Sequence, residues 1–380
     1  MKVICAPDSF KGCLSAVAVA DAMASGVLRA MPACKVVRVP LADGGEGTVD
    51  ALVGARGGSV LRVASHDPLG RQITSQIGQL DAYTFIAEMA SASGLPLLRV
   101  EERDPFRAST HGTGELIQAA LDAGAREIIL GVGGSATVDG GAGALQALGA
   151  QLLDAAGNDV MPGNTGLASL DRIDLSGLDP RLGAVKLRVA SDVRNPLIGP
   201  EGAAAVFGPQ KGARPADIPI LESNLERFAT VVSRDLGIDL AFRSGAGAAG
   251  GLTGGLLAIG AHTEPGIDLV LEATRFDQAL VGTDLVLTGE GRIDGQTARG
   301  KVISGVLGRA SRHGVPVVAL AGSVRGDELG MLYKAGLAAA FSIGDGPMGY
   351  SKAFARAVPL IRRAAEAVIR VWLASPSKAR

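Results

Sequence analysis

The sequence predicts an α/β protein of two domains. Its 380 residues exceed the roughly 250–300 residues at which a single hydrophobic core stops growing. Near both ends of the chain, short apolar runs alternate with amphipathic stretches of about ten residues or more, which is typical of βαβ units and a parallel sheet. The middle of the chain lacks this alternation. We therefore predict a Rossmann/flavodoxin-like parallel sheet formed by residues 1–68 and 280–380, with a mixed α/β domain inserted over residues 69–279.

The N-terminal elements follow the order strand, helix, strand. Residues 2–7 form an apolar run typical of a buried strand. Ser15 predicts the N-cap of a helix that ends at Pro32, and residues 35–40 predict a second strand. In the C-terminal part, the predicted strands cover residues 284–288, 316–321 and 338–342, and the predicted helices cover residues 301–312, 327–335 and 351–374. In the inserted part we predict antiparallel strands over residues 73–80 and 83–88 and a helix over residues 216–236.

The charge and the composition argue against nucleic-acid and membrane partners. The formal net charge is −1 and the pI is about 6.5, whereas binding to a phosphate backbone needs clustered positive charge. No apolar stretch reaches the ~18 residues of a membrane helix, and we recognise no signal peptide. Cys5, Cys13 and Cys34 lack metal-binding spacing, so we expect free thiols in a reducing cytoplasm. A homo-oligomer is compatible with this sequence.

Four acidic loops, three of which contain glycine, follow predicted strands, at residues 6–12, 40–48, 190–196 and 288–294. In open α/β sheets, ligands bind at the carboxyl ends of strands, where such loops emerge. Carboxylates gathered there can hold Mg²⁺, and one of them can accept a proton from an attacking hydroxyl. A single aspartate after a strand more often shapes a turn, and an isolated lysine such as Lys11 is more often solvated. Four such loops in one chain nevertheless favour an acidic polar site.

A glycine-rich loop offers a second interpretation. Residues 131–136 fit the pattern G-x-G-x-x-A after a predicted strand, which is typical of dinucleotide binding. This pattern favours an NAD-dependent oxidoreductase that acts on a small hydroxy acid. Residues 137–141 delay the next helix beyond the compact turn of that motif, and such a loop can equally cradle nucleotide phosphates. A non-catalytic sensor of sugar acids is an alternative from another class.

Seven stretches of the chain form a recognisable series: APDSFKGCLSA (6–16), PLADGGEGT (40–48), GVGGSATVDGGAG (131–143), ASDVRNPLIGPEGA (190–203), FGPQKGA (207–213), GAGAAGGLTGGL (245–256) and LTGEGRIDGQTARGK (287–301). In this order they resemble the glycerate kinases of the bacterial type. The resemblance implies a two-domain α/β fold unlike the P-loop kinases, and a kinase that uses ATP and Mg²⁺ to phosphorylate D-glycerate in glycerate or glyoxylate metabolism. It favours 2-phosphoglycerate over 3-phosphoglycerate as the product. Cys13 and Val138 depart from the expected Ser and Asn, and neither alters a charge.

The same resemblance, combined with charge, suggests roles for individual residues. Asp192 and Lys11 are the predicted catalytic residues, and Asp192 and Glu290 are the predicted metal ligands. Lys11 and Arg292 would neutralise the substrate carboxylate or the moving phosphoryl group, and Asp192 would deprotonate the hydroxyl or bind the metal. The predicted substrate-binding residues are Asp8, Ser9, Asp43, Glu46, Arg292 and Asp294. The predicted nucleotide-binding residues are Gly133, Gly134, Ser135, Thr137 and Asn195.

Overall fold

The computed structural model describes residues 1–45, 47–295, 297, 301–326 and 329–374. The chain divides into two compact units. Unit 1 comprises Met1–Asp43, Asp50–Gly57 and Ile267–Arg380, and unit 2 comprises Gly44–Val49 and Gly58–Gly266. The predicted domain boundaries at residues 68/69 and 279/280 stay predictions, because compact units need not be independently folding domains.

The strands and helices alternate along most of the chain. The strands are β1 (Lys2–Pro7), β2 (Lys35–Arg38), β3 (Ser59–His66), β4 (Gln72–Gln79), β5 (Thr84–Glu88), β6 (Glu127–Gly131), β7 (Gln151–Leu153), β8 (Arg172–Asp174), β9 (Lys186–Ala190), β10 (His262–Glu264), β11 (Leu285–Ile293), β12 (Val317–Val324) and β13 (Leu337–Ser342). The α-helices are α1 (Ala16–Ala30), α2 (Thr48–Arg56), α3 (Ala90–Ser93), α4 (His111–Asp122), α5 (Ala142–Ala147), α6 (Asn164–Leu167), α7 (Ala203–Phe207), α8 (Ile218–Leu236), α9 (Leu252–Leu257), α10 (Gly266–Ala273), α11 (Phe276–Leu280), α12 (Val302–Arg312), α13 (Gly330–Lys334), α14 (Tyr350–Ala355) and α15 (Ala357–Leu373). None of the helices in the described part of the chain combines the length and the apolar character needed to cross a membrane.

Unit 1 contains a five-stranded parallel sheet in the order β13-β12-β11-β1-β2. This confirms the predicted parallel sheet formed by both ends of the chain. Numbered along unit 1 alone, its strands follow the flavodoxin-like order 2-1-3-4-5, in which the direction of winding reverses between β1 and β11. Such a reversal opens a crevice at the carboxyl ends of the two strands, which is where ligands bind in this type of sheet.

The first and last long helices pack together against this sheet. The side chain of Ser15 accepts a hydrogen bond from the backbone N–H of Ala18, so the predicted N-cap of α1 is confirmed. Val19 and Met23 of α1 share an apolar core with Leu285 of β11 and Ile361 of α15. These buried contacts hold the N-terminal and C-terminal segments of unit 1 together.

The last helix is shorter than the pattern predicts. The predicted helix over residues 351–374 is two helices, α14 and α15, that meet at Arg356. Pro359 lies in the first turn of α15. A proline there lacks the N–H that a continuous helix needs, and its ring clashes with the carbonyl four residues earlier. The prediction of one uninterrupted helix is therefore wrong. It arose because the amphipathic period of the sequence continues across the break in the backbone.

Unit 2 contains a six-stranded mixed sheet in the order β10-β9-β6-β5-β4-β3. The strands β3, β4 and β5 are antiparallel neighbours, which confirms the predicted hairpin that turns near residue 81, and β5, β6, β9 and β10 are parallel. The pairing of β3 with β4 places residues 59–66 in unit 2, although they precede the predicted boundary at residue 69. The inserted part is therefore a mixed α/β structure, as predicted.

Close packing of α1 against α15 generates a stability prediction. A Cβ at Gly26 would lie 2.2 Å from the backbone oxygen of Arg362 and 2.8 Å from the Cβ of Ala365. We predict that Gly26→Ala lowers the free energy of unfolding by about 1–3 kcal/mol, because overpacking outweighs the better helix propensity of alanine. The measurement is the shift of the urea-unfolding midpoint relative to the wild type.

A matched glycine in α12 serves as the control. A Cβ at Gly308, which is exposed, would meet no atom within 4 Å. We expect Gly308→Ala to raise the free energy of unfolding by about 0.5–1 kcal/mol. A shift of the same sign in both variants would contradict the tight contact between α1 and α15.

Candidate active site

The carboxyl ends of the unit 1 strands border a pocket of about 760 Å³. Asp8 follows β1 directly, and Glu290 and Arg292 lie in the last part of β11, so the pocket opens at the reversal between these two strands. Predicted site residues dominate its polar wall. The structure brings together Asp8, Ser9, Lys11, Asp43, Glu290, Arg292 and Asp294 in the lining of this pocket. Glu46, another predicted substrate ligand, lies outside the described residues.

Asp8 is the most deeply buried carboxylate of this pocket, with a relative exposure of 6%. Its Oδ1 accepts a hydrogen bond from the backbone N–H of Ser9 at 2.6 Å. Burial, reinforced by the negative charge of Asp43, raises the pKa of Asp8 to about 6. A carboxylate in this environment gains from an approaching cation or from a proton.

Glu290 has the same character at the end of the neighbouring strand. It is half-buried, and Thr297 donates a hydroxyl hydrogen bond to its Oε1 at 2.5 Å. Burial raises the pKa of Glu290 to about 7, and the charges of Asp8 and Asp294 add to this rise. Two neighbouring carboxylates with raised pKa values form a site that a divalent cation would stabilise, since oxygen ligands are what Mg²⁺ prefers.

Two cationic side chains border these carboxylates. The Nζ of Lys11 lies 3.9 Å from Oδ2 of Asp43, and the lysine side chain is 74% exposed. The turn that carries Lys11 is closed by a hydrogen bond from the N–H of Phe10 to the carbonyl of Leu14. Arg292 is exposed on β11. An anion entering the pocket therefore meets positive charge beside the buried carboxylates.

Sequence reasoning missed the mainly apolar wall of this pocket. Met348, Tyr350, Phe354 and Leu360 line it, after the end of β13. The signal that could have found this wall is the glycine-rich segment at residues 344–349, which follows a predicted strand like the four acidic loops. Its carboxylate, Asp345, does not line the pocket and instead pairs with Arg356 at 2.7 Å.

The second acidic loop is divided between the units. Asp43 belongs to unit 1, whereas Gly44–Val49 belongs to unit 2. Glu88, at the end of β5, accepts hydrogen bonds from the N–H groups of Gly47 and Val49 at 3.1 and 2.6 Å. This buried carboxylate thus caps the start of α2, and the sequence pattern did not identify it.

The glycine-rich loop after β6 packs against this same segment. A Cβ at Gly133 would lie 2.8 Å from the Cα of Gly45, and the N–H of Gly133 donates to the carbonyl of Gly44 at 3.4 Å. The chain then continues through Gly134, whose φ of +73° favours glycine, and does not enter a helix until α5. Gly133 therefore permits the close approach of another backbone segment of the protein. The compact strand-to-helix turn of a dinucleotide fingerprint is not formed here.

A buried lysine holds this loop from inside unit 2. Lys211 is 1% exposed and donates hydrogen bonds from Nζ to Oγ of Ser135 at 2.6 Å and to the carbonyl of Thr137 at 2.7 Å. Burial lowers the pKa of Lys211 to about 7, while the charge of Asp139 opposes this effect. Thr137 is itself fully buried. Its hydroxyl donates to the carbonyl of Ala249 at 3.5 Å, and its role in nucleotide binding stays a prediction.

Asp139 completes the support of this loop. It is fully buried and accepts hydrogen bonds from the N–H and the hydroxyl of Thr110, both at 2.8 Å, and from the N–H of Gly141 at 3.1 Å. Burial raises the pKa of Asp139, although these hydrogen bonds oppose the rise. Asp139 and Lys211 stand in two of the stretches that carry the resemblance, but neither was predicted as a site residue.

The predicted catalytic aspartate follows β9. Asp192 is exposed, and its Oδ1 accepts a hydrogen bond from the N–H of Gly266, the first residue of α10, at 3.2 Å. The side-chain amide of Asn195 donates to the carbonyl of Glu201 at 2.8 Å, and so it helps to shape the loop. A metal site shared by Asp192 and Glu290 stays a prediction, as does nucleotide binding by Asn195.

Comparison with known proteins gives one consistent family. The family model described as "Glycerate kinase family" matches residues 3–373. The glycerate kinase of Bacillus subtilis (strain 168) is 48% identical over 367 residues, which cover 96% of each chain. The glycerate 2-kinase of Escherichia coli (strain K12) is 47% identical over 345 residues, or 90% of each chain.

A solved structure agrees with the fold described above. A crystal structure of a Salmonella typhimurium LT2 protein, described as glycerate kinase 2, matches with a TM-score of 0.90 at 45% identity and covers 100% of both chains. These matches confirm the resemblance that the seven sequence stretches indicated. This chain belongs to the glycerate kinase family.

Proposed function

We propose that this protein transfers the γ-phosphate of ATP to a hydroxyl of D-glycerate, with 2-phosphoglycerate as the main product. Its relatives from Bacillus subtilis and Escherichia coli bear the names glycerate kinase and glycerate 2-kinase. The observation that carries the proposal is the unit 1 pocket, in which Asp8 and Glu290 lie beside the cations Lys11 and Arg292. Phosphoryl transfer depends mainly on positioning and on electrostatic stabilisation, and this pocket offers both.

The cations at the pocket serve the anionic groups of the reaction. Lys11 binds the carboxylate of glycerate or the transferring phosphoryl group as a mobile point charge, for which its exposed position beside Asp43 is suited. Arg292 provides a second, permanently charged contact. A volume of about 760 Å³ falls in the range of pockets for drug-sized ligands. The pocket therefore has room for more than a three-carbon acid.

The carboxylates of this pocket fit Mg²⁺. Burial raises the pKa values of Asp8 and Glu290, with added repulsion from Asp43 on Asp8 and from Asp8 on Glu290, so a bound cation would stabilise their ionised forms. Glu290 is the proposed ligand of unit 1, with Asp8 beside it. These residues would hold Mg²⁺ beside the phosphates of ATP, where its positive charge would offset the charge of the transferring phosphoryl group. Because the pKa of Glu290 is about 7, this carboxyl group is partly protonated at neutral pH when no cation is bound.

The predicted roles in unit 2 are part of the same proposal. Asp192 orients the substrate hydroxyl and accepts its proton. The loop at residues 133–137 binds ATP phosphates, and Lys211 positions that loop through Ser135 and the carbonyl of Thr137. Lys211 is fully buried, so we assign it no direct contact with substrate.

Product analysis tests the proposed function directly. The purified protein, incubated with ATP, Mg²⁺ and D-glycerate, is expected to release ADP and to form 2-phosphoglycerate, which phosphorus NMR distinguishes from 3-phosphoglycerate. Exclusive formation of 3-phosphoglycerate would overturn the regiochemistry and leave the kinase activity intact. ADP release that does not depend on glycerate would overturn the proposed acceptor.

Replacement of Glu290 is expected to change both the catalytic rate and the pH dependence of the protein's stability. The pKa of Glu290 in the folded protein, about 7, exceeds the 4.5 of an unperturbed glutamate. Protonation of Glu290 therefore favours the folded state, and this stabilisation is fully present below about pH 4.5. This stabilisation is lost as the pH rises through about 7. We predict that Glu290→Gln has a higher melting temperature than the wild type at pH 8 without Mg²⁺ and a smaller difference at pH 5. Its kcat should fall about 10²–10⁴-fold, because loss of a metal ligand removes charge stabilisation of the transition state.

Asp21→Asn is the control for this prediction. Asp21 lies in α1 of the same unit, is largely exposed and pairs with Arg38 at 2.8 Å. This variant should retain full activity and should not gain stability at pH 8. A Glu290→Gln protein with normal turnover, or one that is less stable than the wild type at pH 8, would remove Glu290 from the proposed site.

A second pair of variants tests Asp192. Asp239 resembles it in being exposed and in accepting a backbone hydrogen bond, from Ala241 at 3.1 Å. We predict that Asp192→Asn lowers kcat by about 10²-fold or more through loss of the proton acceptor, whereas Asp239→Asn leaves kcat unchanged. Steady-state rates at saturating ATP and glycerate provide the comparison. Near-normal turnover of Asp192→Asn would return this aspartate to a purely local role.

A further inference from the structure

Two histidines and a glutamate meet on the surface of unit 2, among residues to which the proposed function gives no role. His66 is the last residue of β3, and His111 and Glu115 lie one turn apart on α4. Nδ1 of His66 lies 2.8 Å from Oε1 of Glu115, and Nε2 of His111 lies 3.6 Å from the same oxygen. One ligand atom from each of the three residues lies within 4.8 Å of the others, and all three side chains are half-buried.

The backbone brings these side chains together. A Cβ at Gly112 would lie 2.0 Å from the carbonyl oxygen of His66, so glycine is needed for α4 to approach the end of β3 this closely. The N–H of His66 donates to Oε2 of Glu115 at 2.7 Å. This hydrogen bond fixes one oxygen of the carboxylate and directs the other, Oε1, toward both imidazole rings. Such support of a ligand by a neighbouring backbone group is typical of metal sites.

The ligand chemistry favours a particular class of ion. Two imidazoles and one carboxylate are a ligand set of Zn²⁺ and related first-row transition ions, whereas Mg²⁺ prefers oxygen ligands. With metal–ligand bonds of about 2.0–2.2 Å, ligand atoms in a tetrahedral site lie about 3.3 Å apart. The observed separations of 2.8 and 3.6 Å lie on either side of this value. Small side-chain adjustments would therefore suffice.

We propose that His66, His111 and Glu115 bind a divalent transition-metal ion, with Zn²⁺ as the best fit, and that water completes its coordination. The ion joins the end of β3 to the first turns of α4 and so stabilises unit 2. This site uses none of the residues assigned to phosphoryl transfer. It is therefore independent of the proposed kinase function, and its failure would leave that function untouched.

Calorimetric titration of the full-length protein with ZnCl₂, in excess MgCl₂ to occupy oxygen-rich sites, tests the proposal. The wild type is expected to bind one Zn²⁺ at this site and to gain melting temperature. His111→Gln and Glu115→Gln each remove one ligand and should weaken this binding by at least about 10-fold. Both variants should retain the Zn²⁺-independent turnover of ATP and glycerate, which shows that they are folded.

His313→Gln is the matched control. Nε2 of His313 lies 3.6 Å from Oδ1 of Asp277, the same separation as between His111 and Glu115, and His313 belongs to no cluster of three metal-ligating groups among the described residues. This variant should bind Zn²⁺ as the wild type does. Equal affinity of the wild type, His111→Gln and Glu115→Gln, or no Zn²⁺ binding by the wild type, would overturn the proposal and leave a metal-free hydrogen-bonded cluster.

Discussion

The parallel pairing of β1 with β11 is the constraint on which the candidate site depends. These strands start 283 residues apart, yet they pair from Val3 with Leu285 to Pro7 with Gly289. The N–H of Asp8 extends the pairing with a hydrogen bond to the carbonyl of Gly289 at 2.8 Å. This register brings Asp8 and Glu290 to the same edge of the sheet. Since the winding reverses between these two strands, a crevice forms at their carboxyl ends, and the pocket lies there.

The same pairing places negative charges where they destabilise the fold. Burial raises the pKa values of both Asp8 and Glu290, and each responds to another carboxylate of the pocket. A sequence selected for stability alone would place apolar residues here, or one charged residue instead of several of like charge. The unfavourable arrangement is consistent with a site completed by cations, whether Lys11, Arg292 or a metal ion. Stability and function therefore make opposite demands on these few residues.

Local patterns predicted much of this structure, because buried strands and amphipathic helices leave a period in the sequence. They predicted the sheet of unit 1 and the acidic loops at its carboxyl ends. The end of β11 was missed: the strand continues past Thr288 to Ile293, since Arg292 pairs with Ser323 of β12, a partner that no local pattern indicates. Lys211 was missed for a related reason. A buried lysine resembles a solvated one in sequence, and only its partners from a distant loop reveal the difference.

The division of unit 1 into chain segments also has a consequence for protein synthesis. Of the two neighbours of β1 in the sheet, β2 is complete by residue 38, whereas β11 begins at residue 285. A ribosome therefore synthesises all of unit 2 before β1 and β11 can pair. Two strands and one helix are marginally stable alone, so the nascent N-terminus has to remain unaggregated while more than two hundred residues are translated. Chaperone demand during translation is expected to fall mainly on this short N-terminal segment.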